Sequence, residues 1–450
     1  MAKDTFRGGV HPEEHKELSR DQALRVYDAK GEMVFLLSQH IGKPAKPVVK
    51  KNDEVLVGQV IAEADGFVSA NIVSSCSGKV KGIEKRRTLS GAMMDAIVIE
   101  NDGEFRPLVT QEEETDPMTL GNAEILDRVK AAGIVGLGGA GFPTHVKLAP
   151  KDPSGIKYVI ANGAECEPYI TCNDQLMRTK AEEIVEGVET ILRLFPNAEG
   201  VIAIEHNKPE AIEAMKKACH GKKDIRVLAL PTKYPQGGER SLIAVIAGVY
   251  YPASMLPADV GCIVDNVGTI YAIQQAARYR RPLIQNGITV TGEAVANPGN
   301  FTVRIGTSFA ELLEAAGGLK EGATLTKALC GGPMMGIAMS SLDVPTQKTS
   351  NALTLLVDDA NVLAKENETN CLRCGRCAAA CPQGLLPQQM LHAIHQNQLD
   401  RFEKKYYGME CISCGTCSYI CPARRPLTES FKQAKAEVLA ARRAAAAGGK

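Results

Sequence analysis

Residues 371–382 read CLRCGRCAAACP, and residues 411–422 read CISCGTCSYICP. Both stretches have the form C-x2-C-x2-C-x3-C-P, so eight of the fourteen cysteines lie in two copies of one spacing. Zinc sites take four ligands in two pairs and leave the third regularly spaced Cys and the Cys-Pro unexplained. Disulfides are rare in a reducing compartment, and the polar start MAKDTFRGGVHPEEHK, which lacks the apolar core of a secretory signal, predicts such a compartment. The other six cysteines, Cys76, Cys166, Cys172, Cys219, Cys262 and Cys330, show no ligand pattern and read as small buried hydrophobes.

The run is that of the bacterial two-cluster ferredoxins, in which three thiolates on a tight turn cap one cubane and the fourth serves the neighbouring cluster. The expected grouping is therefore crossed. Cys371, Cys374, Cys377 and Cys421 hold one 4Fe-4S cluster, and Cys381, Cys411, Cys414 and Cys417 hold the other. Gly375, Ala378, Ala379, Ala380 and Gly415 suit backbone packed closely around a cluster, with N–H groups free to bond its sulfurs.

Working outward, the 450-residue chain is long enough for several domains. With 44% hydrophobic and 23% charged residues it has the composition of a globular protein. Lys plus Arg and Asp plus Glu are each 52, which argues against nucleic acid as a main partner. No apolar run approaches the ~18 to 20 residues of a membrane span; those near 242–251 and 353–357 are of core length.

The expected architecture is α+β and multidomain. After an N-terminal segment (1–30), residues 31–110 carry short strands broken by Gly and Asn-Asp turns and resemble a lipoyl-like barrel-sandwich hybrid, without a lipoyl or biotinyl lysine turn. The acidic run at 112–116 reads as a solvated linker. Strand and helix then alternate over 120–282, as in an α/β sandwich. Residues 283–340 read as a compact β-grasp-like (SLBB) unit, 341–365 as a linker and 366–428 as the two-cluster bacterial-ferredoxin-type α-helical module. Leading into the tail, 429–450, Leu427, Phe431, Ala434 and Val438 share one helical face, and from Arg424 onward there are seven basic residues against two acidic ones. His11 and His15, four apart, have a spacing that on a helix would let both face a metal, but a lone pair of this kind defines no site.

Residues 136–141, GLGGAG, match G-x-G-x-x-G, yet a helical segment precedes them and a strand follows, the reverse of the dinucleotide-binding order. The glycines still form a loop whose N–H groups approach a phosphate, with Lys147 as counter-charge. GLGGAGFPTHVK (136–147), ANGAECEPY (161–169), YPQGGERSL (234–242) and VDNVGTI (264–270) together resemble, in order, the flavin and NADH loops of the 51-kDa-type subunit of respiratory complex I. The resemblance implies FMN contacts from Gly136, Gly138, Gly139, Lys147, Asn162, Glu165, Tyr234, Gly237 and Asn266. It places NADH near Phe142, Glu167 and Glu239. Leu137, Ala164 and Gly238 stand where that family has Arg, Asp and Glu.

The whole order of modules, from GGVHPEEHK onward, resembles the C subunits of Rnf-type ion-translocating ferredoxin:NAD oxidoreductases. That resemblance implies electron transfer between two 4Fe-4S clusters, non-covalent FMN and NAD(H), with no catalytic acid, base or nucleophile. It implies membrane-embedded and ferredoxin-type Rnf subunits as partners, reduced ferredoxin as an indirect electron source, and a peripheral place on the cytoplasmic face of the membrane. Cobalamin-reductase subunits of diol utilisation share much of this plan, and a non-enzymatic iron–sulfur relay is the reading from another class.

Overall fold

The computed structural model describes residues 5–109, 113–139 and 141–448. Glu112 of the expected acidic linker, Ala140 of the glycine loop and the two chain ends lie outside the described residues. The chain divides into two compact units, one comprising Glu14–Ala229 and Pro257–Val357, the other Met1–Glu13, Leu230–Leu256 and Asp358–Lys450.

The larger unit contains three sheet systems. In the first, strands Met33–Leu36, Met93–Asn101, Gly78–Arg87 and Glu54–Val55 form one antiparallel sheet, and Lys46–Pro47, Val60–Glu63 and Ile72–Val73 form another. Phe35, Val80 and Ile97 from one sheet and Ile61 and Ile72 from the other share a core, the barrel-sandwich arrangement that the lipoyl-like resemblance implied. Cys76 is fully buried in that core, and burial pushes its thiol up to about 12.

The second system is a four-stranded sheet in the order Ile225–Leu230, Glu199–Glu205, Tyr158–Asn162, Cys262–Asn266. The last strand returns to the far side of Tyr158–Asn162 and runs parallel to it, which creates a topological switch point between these two strands. Apolar faces of helices Asn122–Ala131, Ala181–Leu192 and Val267–Tyr279 pack on the sheet through Val129, Ile184, Val188, Ile270 and Ile273. Glu114 of the acidic run pairs with Arg278 at 2.7 Å, so that run is anchored rather than wholly solvated.

The third system corrects the expected domain limits. A six-stranded sheet runs Leu24–Tyr27, Gly299–Arg304, Gln285–Thr291, Ala352–Leu356, Lys327–Cys330, Ile337–Ala338, with helix Phe309–Ala315 packed on it. Leu24–Tyr27 comes from the expected N-terminal segment, and Ala352–Leu356, from the expected linker, is a central strand with Leu353 and Leu355 fully buried. Parallel pairing of Ala352–Leu356 with Gln285–Thr291 joins residues far apart in the chain, a contact no local pattern announces.

The same supposed linker carries a buried staple. Lys348 is 1% exposed, and its Nζ donates to the carbonyls of Asn71 (2.5 Å) and Gly133 (2.6 Å), tying the barrel sandwich to the chain just ahead of the glycine loop. Burial pushes its amine down to about 7 from the ordinary 10.5. Between those values the unfolded chain binds the extra proton, so this group makes stability rise as pH climbs from about 7 towards 10.5. Lys348→Met is expected to remove about 4 kcal/mol of that rise. Denaturant unfolding of both proteins across the window checks it; equal pH slopes would show that Lys348 titrates normally.

In the smaller unit, helices Arg376–Ala380, Pro387–His395, Thr416–Tyr419 and Leu427–Gly448 enclose a core of Met390, Leu391, Phe402, Leu427, Phe431, Ala434 and Val438. The last four are the face read from the helical spacing. Two distant segments join this module. Gly9 N–H donates to Ala380 O at 2.8 Å; at Gly8, whose φ is +68°, an added Cβ would sit 2.5 Å from that same oxygen. Val10 and Tyr234 exchange backbone hydrogen bonds, both 2.9 Å. Residues 230–256, expected within the α/β domain, thus fold with the cluster module. Residues 11–15 form no helix: His11 bonds Thr232 O at 3.1 Å, whereas His15 stacks on Tyr169 with ring centroids 4.6 Å apart.

Candidate functional site

Asn162 and Asn266 end their parallel strands directly opposite each other, at the carboxyl edge of the switch point, where open α/β sheets bind ligands. Each closes the turn that follows its strand, Asn162 Oδ1 accepting from Ala164 N–H (3.2 Å) and Asn266 Oδ1 from Gly268 N–H (2.8 Å). Asn266 thereby caps the helix Val267–Tyr279, so VDNVGTI is a strand-to-helix junction that brings a helix N-terminus to the switch point. Such an end favours an anion.

The glycine loop lies against this junction. As anticipated, it follows a helix, Asn122–Ala131, and precedes a strand, Tyr158–Asn162. Leu137 N–H donates to Thr269 Oγ1 at 3.0 Å, and a Cβ on Gly138 would stand 3.3 Å from Asn266 Cβ. Gly136 N–H bonds Phe142 O at 2.9 Å and closes the loop. Gly139 has a φ of +135°, and a Cβ there would meet nothing within 4 Å, so the backbone borders open space. Lys147, expected as a counter-charge, donates to Val264 O at 2.6 Å and lies 3.3 Å from Asp265 Oδ1. Burial raises the Asp265 carboxyl above the usual range, and Lys147 opposes that shift. A small-residue loop, a helix end and an ammonium at one sheet edge fit a flavin phosphate.

The acidic loop after Asn162 is held from beneath by two lysines that sequence reasoning passed over. Lys16 Nζ donates to the carbonyls of Glu165 (3.0 Å), Glu167 (2.9 Å) and Ile170 (2.6 Å). Lys208 Nζ donates to Ala164 O at 2.7 Å and lies 3.6 Å from Glu205 Oε2. Glu165, expected to touch flavin, spends both carboxylate oxygens on the N–H groups of Asn173 (2.7 Å) and Asp174 (3.2 Å), in the first turn of helix Cys172–Thr179. Burial raises its carboxyl, with Lys16 and Lys208 pulling the other way. Glu167, expected near NADH, accepts from Met334 N–H at 3.1 Å; a Cβ on Gly332 would come within 2.2 Å of that carboxylate oxygen, so glycine is needed there.

Tyr234, Gly237 and Glu239 belong to the smaller unit. Tyr234 is buried, Gly238 caps the helix Glu239–Ile246, and Glu239 is that helix's first residue. Gln236, not singled out from the sequence, is fully buried with neither end of its amide hydrogen-bonded. Arg240 bolts the helix to the cluster module through Gln383 (3.0 Å) and Glu410 (3.0 Å).

The two cysteine blocks adopt the same backbone turn, with positive φ at Arg373 and Gly375 in one and at Ser413 and Gly415 in the other. Cys381 lines one cavity together with Cys411, Cys414 and Cys417, drawing a residue of the first block into the second. Cys377 and Cys421 lie within electrostatic reach of each other, while Cys371 and Cys374 are exposed. Leu385 N–H donates to Cys381 Sγ and Ser413 N–H to Cys411 Sγ, both at 3.4 Å, the kind of N–H···S support a cluster requires. Among the described residues, no three His, Cys, Asp or Glu converge on a single-ion site. Of the remaining cysteines, Cys76, Cys172, Cys262 and Cys330 are buried, and Cys166 and Cys219 partly so.

Family models match the chain as the RnfC barrel sandwich hybrid domain (4–104), the Nuo51 FMN-binding domain (129–275), the SLBB domain (288–338) and the 4Fe-4S dicluster domain (363–422). The C subunit of the proton-translocating ferredoxin:NAD(+) oxidoreductase complex of Clostridium ljungdahlii is 44% identical, over 97% of this chain and 94% of its own. Its counterpart in the Na(+)-translocating complex of Acetobacterium woodii is 41% identical over 98% of both. The C subunit of the ion-translocating oxidoreductase complex of Rhodobacter capsulatus is 40% identical over 96% of this chain and 83% of its own. Among solved structures, the NAD+-reducing NiFe hydrogenase in its H2-reduced state shares the fold, at 18% identity and a TM-score of 0.50, over 75% of this chain and 69% of that one. With relatives matched along nearly the full length and models for all four modules, the chain belongs to the family of C subunits of Rnf-type ion-translocating ferredoxin:NAD oxidoreductase complexes.

Proposed function

We propose that this chain passes electrons between two 4Fe-4S clusters, FMN and NAD(H), as a peripheral subunit on the cytoplasmic face of a membrane-bound ferredoxin:NAD oxidoreductase. The observation that carries this reading is the presence, in one chain, of an FMN-type α/β module and a two-cluster module. Flavin, when bound, exchanges a hydride with nicotinamide and single electrons with iron–sulfur clusters.

The residues supply placement. Gly136, Gly138 and Gly139 let a phosphate come close to backbone, the helix end at Asn266 and the Lys147 ammonium supply positive charge, and Lys16 and Lys208 hold the acidic loop still. Cys371, Cys374, Cys377 and Cys421 are proposed to ligate one cluster and Cys381, Cys411, Cys414 and Cys417 the other. No helix among the described residues is long and apolar enough to cross a membrane, so ion movement falls to membrane-embedded partner subunits. Ferredoxin-type subunits would deliver electrons from reduced ferredoxin.

The test is the visible spectrum of anaerobically purified protein, reconstituted with iron, sulfide and FMN, before and after stoichiometric NADH. Flavin bleaching followed by loss of cluster absorbance is expected. Clusters present without retained flavin or any NADH response would overturn the reading in favour of an electron relay.

A further inference from the structure

The two cluster sites are copies in spacing but not in surroundings. Eleven residues after the third cysteine of each block, the first copy has Gln388 beside Cys377 (3.4 Å) and the second has Thr428 beside Cys417 (3.7 Å). Immediately before that third cysteine, the first copy has the exposed Arg376 and the second has Thr416, fully buried, with Oγ1 3.1 Å from Cys414 Sγ. We infer that Thr416 and Thr428 set the reduction potential of the cluster held by Cys381, Cys411, Cys414 and Cys417 apart from that of its twin.

A cysteine bound to iron is a thiolate and only accepts hydrogen bonds, so each threonine hydroxyl in contact with it becomes the donor. A second hydroxyl frees the Thr428 proton for this purpose. Thr428 N–H donates to Ser418 Oγ at 2.9 Å, and Ser418 Oγ lies 2.9 Å from Thr428 Oγ1, so Ser418 donates to Thr428 while Thr428 donates to Cys417. In the first copy Gln388 accepts from the Cys377 thiol through its carbonyl oxygen, and toward a thiolate the same amide would turn its NH2, so that site has one neutral side-chain donor where the second has two. Donors to cluster sulfurs stabilise the more negative, reduced state and raise the potential. Cys381 and Cys414 are buried whereas Cys371 and Cys374 are exposed, and burial by itself would make the second cluster the harder one to reduce. The two hydroxyls offset that handicap, which keeps an electron from stalling at the exposed cluster.

The inference rests on the proposed function, and one experiment separates the two. Full-length, cluster-loaded protein is titrated potentiometrically with EPR detection as wild type, T416V, T428V and T416V/T428V, with iron and sulfide measured in each; C371S identifies which signal belongs to which cluster. The expected result is full iron content with one signal displaced to more negative potential. In the double variant the displacement amounts to at least a tenfold change in reduced-to-oxidised ratio at fixed poise, about 59 mV for one electron. T416S and T428S keep the donor and should keep the wild-type value. Should T416V lose iron, T428V alone decides. Loaded variants in which neither signal moves, or both move equally, overturn the role of the threonines. Wild type that binds no clusters overturns the proposed function itself.

Discussion

Cys381→Ser is expected to strip the protein of one of its two clusters, the one belonging to the second block. Cys381 is 9% exposed and shares its cavity with Cys411, Cys414 and Cys417 rather than with the three cysteines just before it in the chain. Serine offers a harder oxygen ligand in place of a soft thiolate, and a buried site with three sulfurs holds a cubane poorly. Iron and acid-labile sulfide should fall to about half of the wild-type content, because a dicluster site retains its other cubane. Cys411→Ser should leave the same residual EPR signal, and Cys371→Ser the complementary one. If Cys381→Ser instead matches Cys371→Ser, each block ligates its own cluster and the crossed grouping is wrong.

Lys208→Met should destabilise the larger unit by about 3 to 5 kcal/mol, the cost of stranding one member of a buried ion pair. Lys208 and Glu205 each expose 1% of the side chain and stand 3.6 Å apart. Removing the ammonium takes from Glu205 the cation 3.6 Å from its carboxylate and from Ala164 O its side-chain donor, at the root of the acidic loop. Unfolding by denaturant would show the loss, and flavin retention should fall with it. Lys208→Met combined with Glu205→Leu should recover most of the stability, since an apolar pair in place of a buried ion pair is often neutral or better. A loss below ~1 kcal/mol in the single variant, the size of an exposed ion pair, would show that solvent reaches this site.

Much of the chemistry was legible because it is written in short spacings. The C-x2-C-x2-C-x3-C-P runs mark out the 4Fe-4S dicluster module and single out the eight cysteines proposed as its ligands, and an α/β order with the glycine loop ahead of its strand sets the flavin-type module apart from a dinucleotide fold. The stripe Leu427, Phe431, Ala434, Val438 defines the buried face of the last helix. Each of these signals lies within one or two elements, where helical or strand periodicity decides which side chains meet.

What escaped the sequence reading depends on contacts between distant parts of the chain. Leu24–Tyr27 has no marked pattern, with Val26 73% exposed, and becomes a strand only because Gly299–Arg304 gives it a parallel edge to pair with. The apolar run 353–357 was visible, but not the sheet whose centre it fills. Lys16 and Lys208 look like ordinary surface lysines, yet both are buried by loop carbonyls brought from far away in sequence. Glu165 and Glu167 read as loop carboxylates, and the reading missed that backbone N–H groups orient them, those of Asn173 and Asp174 on Glu165 and that of Met334 on Glu167. Residues 230–256 lie in the chain between the Ile225–Leu230 and Cys262–Asn266 strands of the α/β sheet but pack with the cluster module, through Val10–Tyr234 and Arg240–Glu410. Ligand identity and element type follow from local periodicity and therefore belong to the sequence; which segments share a sheet, and which charges are buried, follow from long-range pairing whose partners only the folded chain selects.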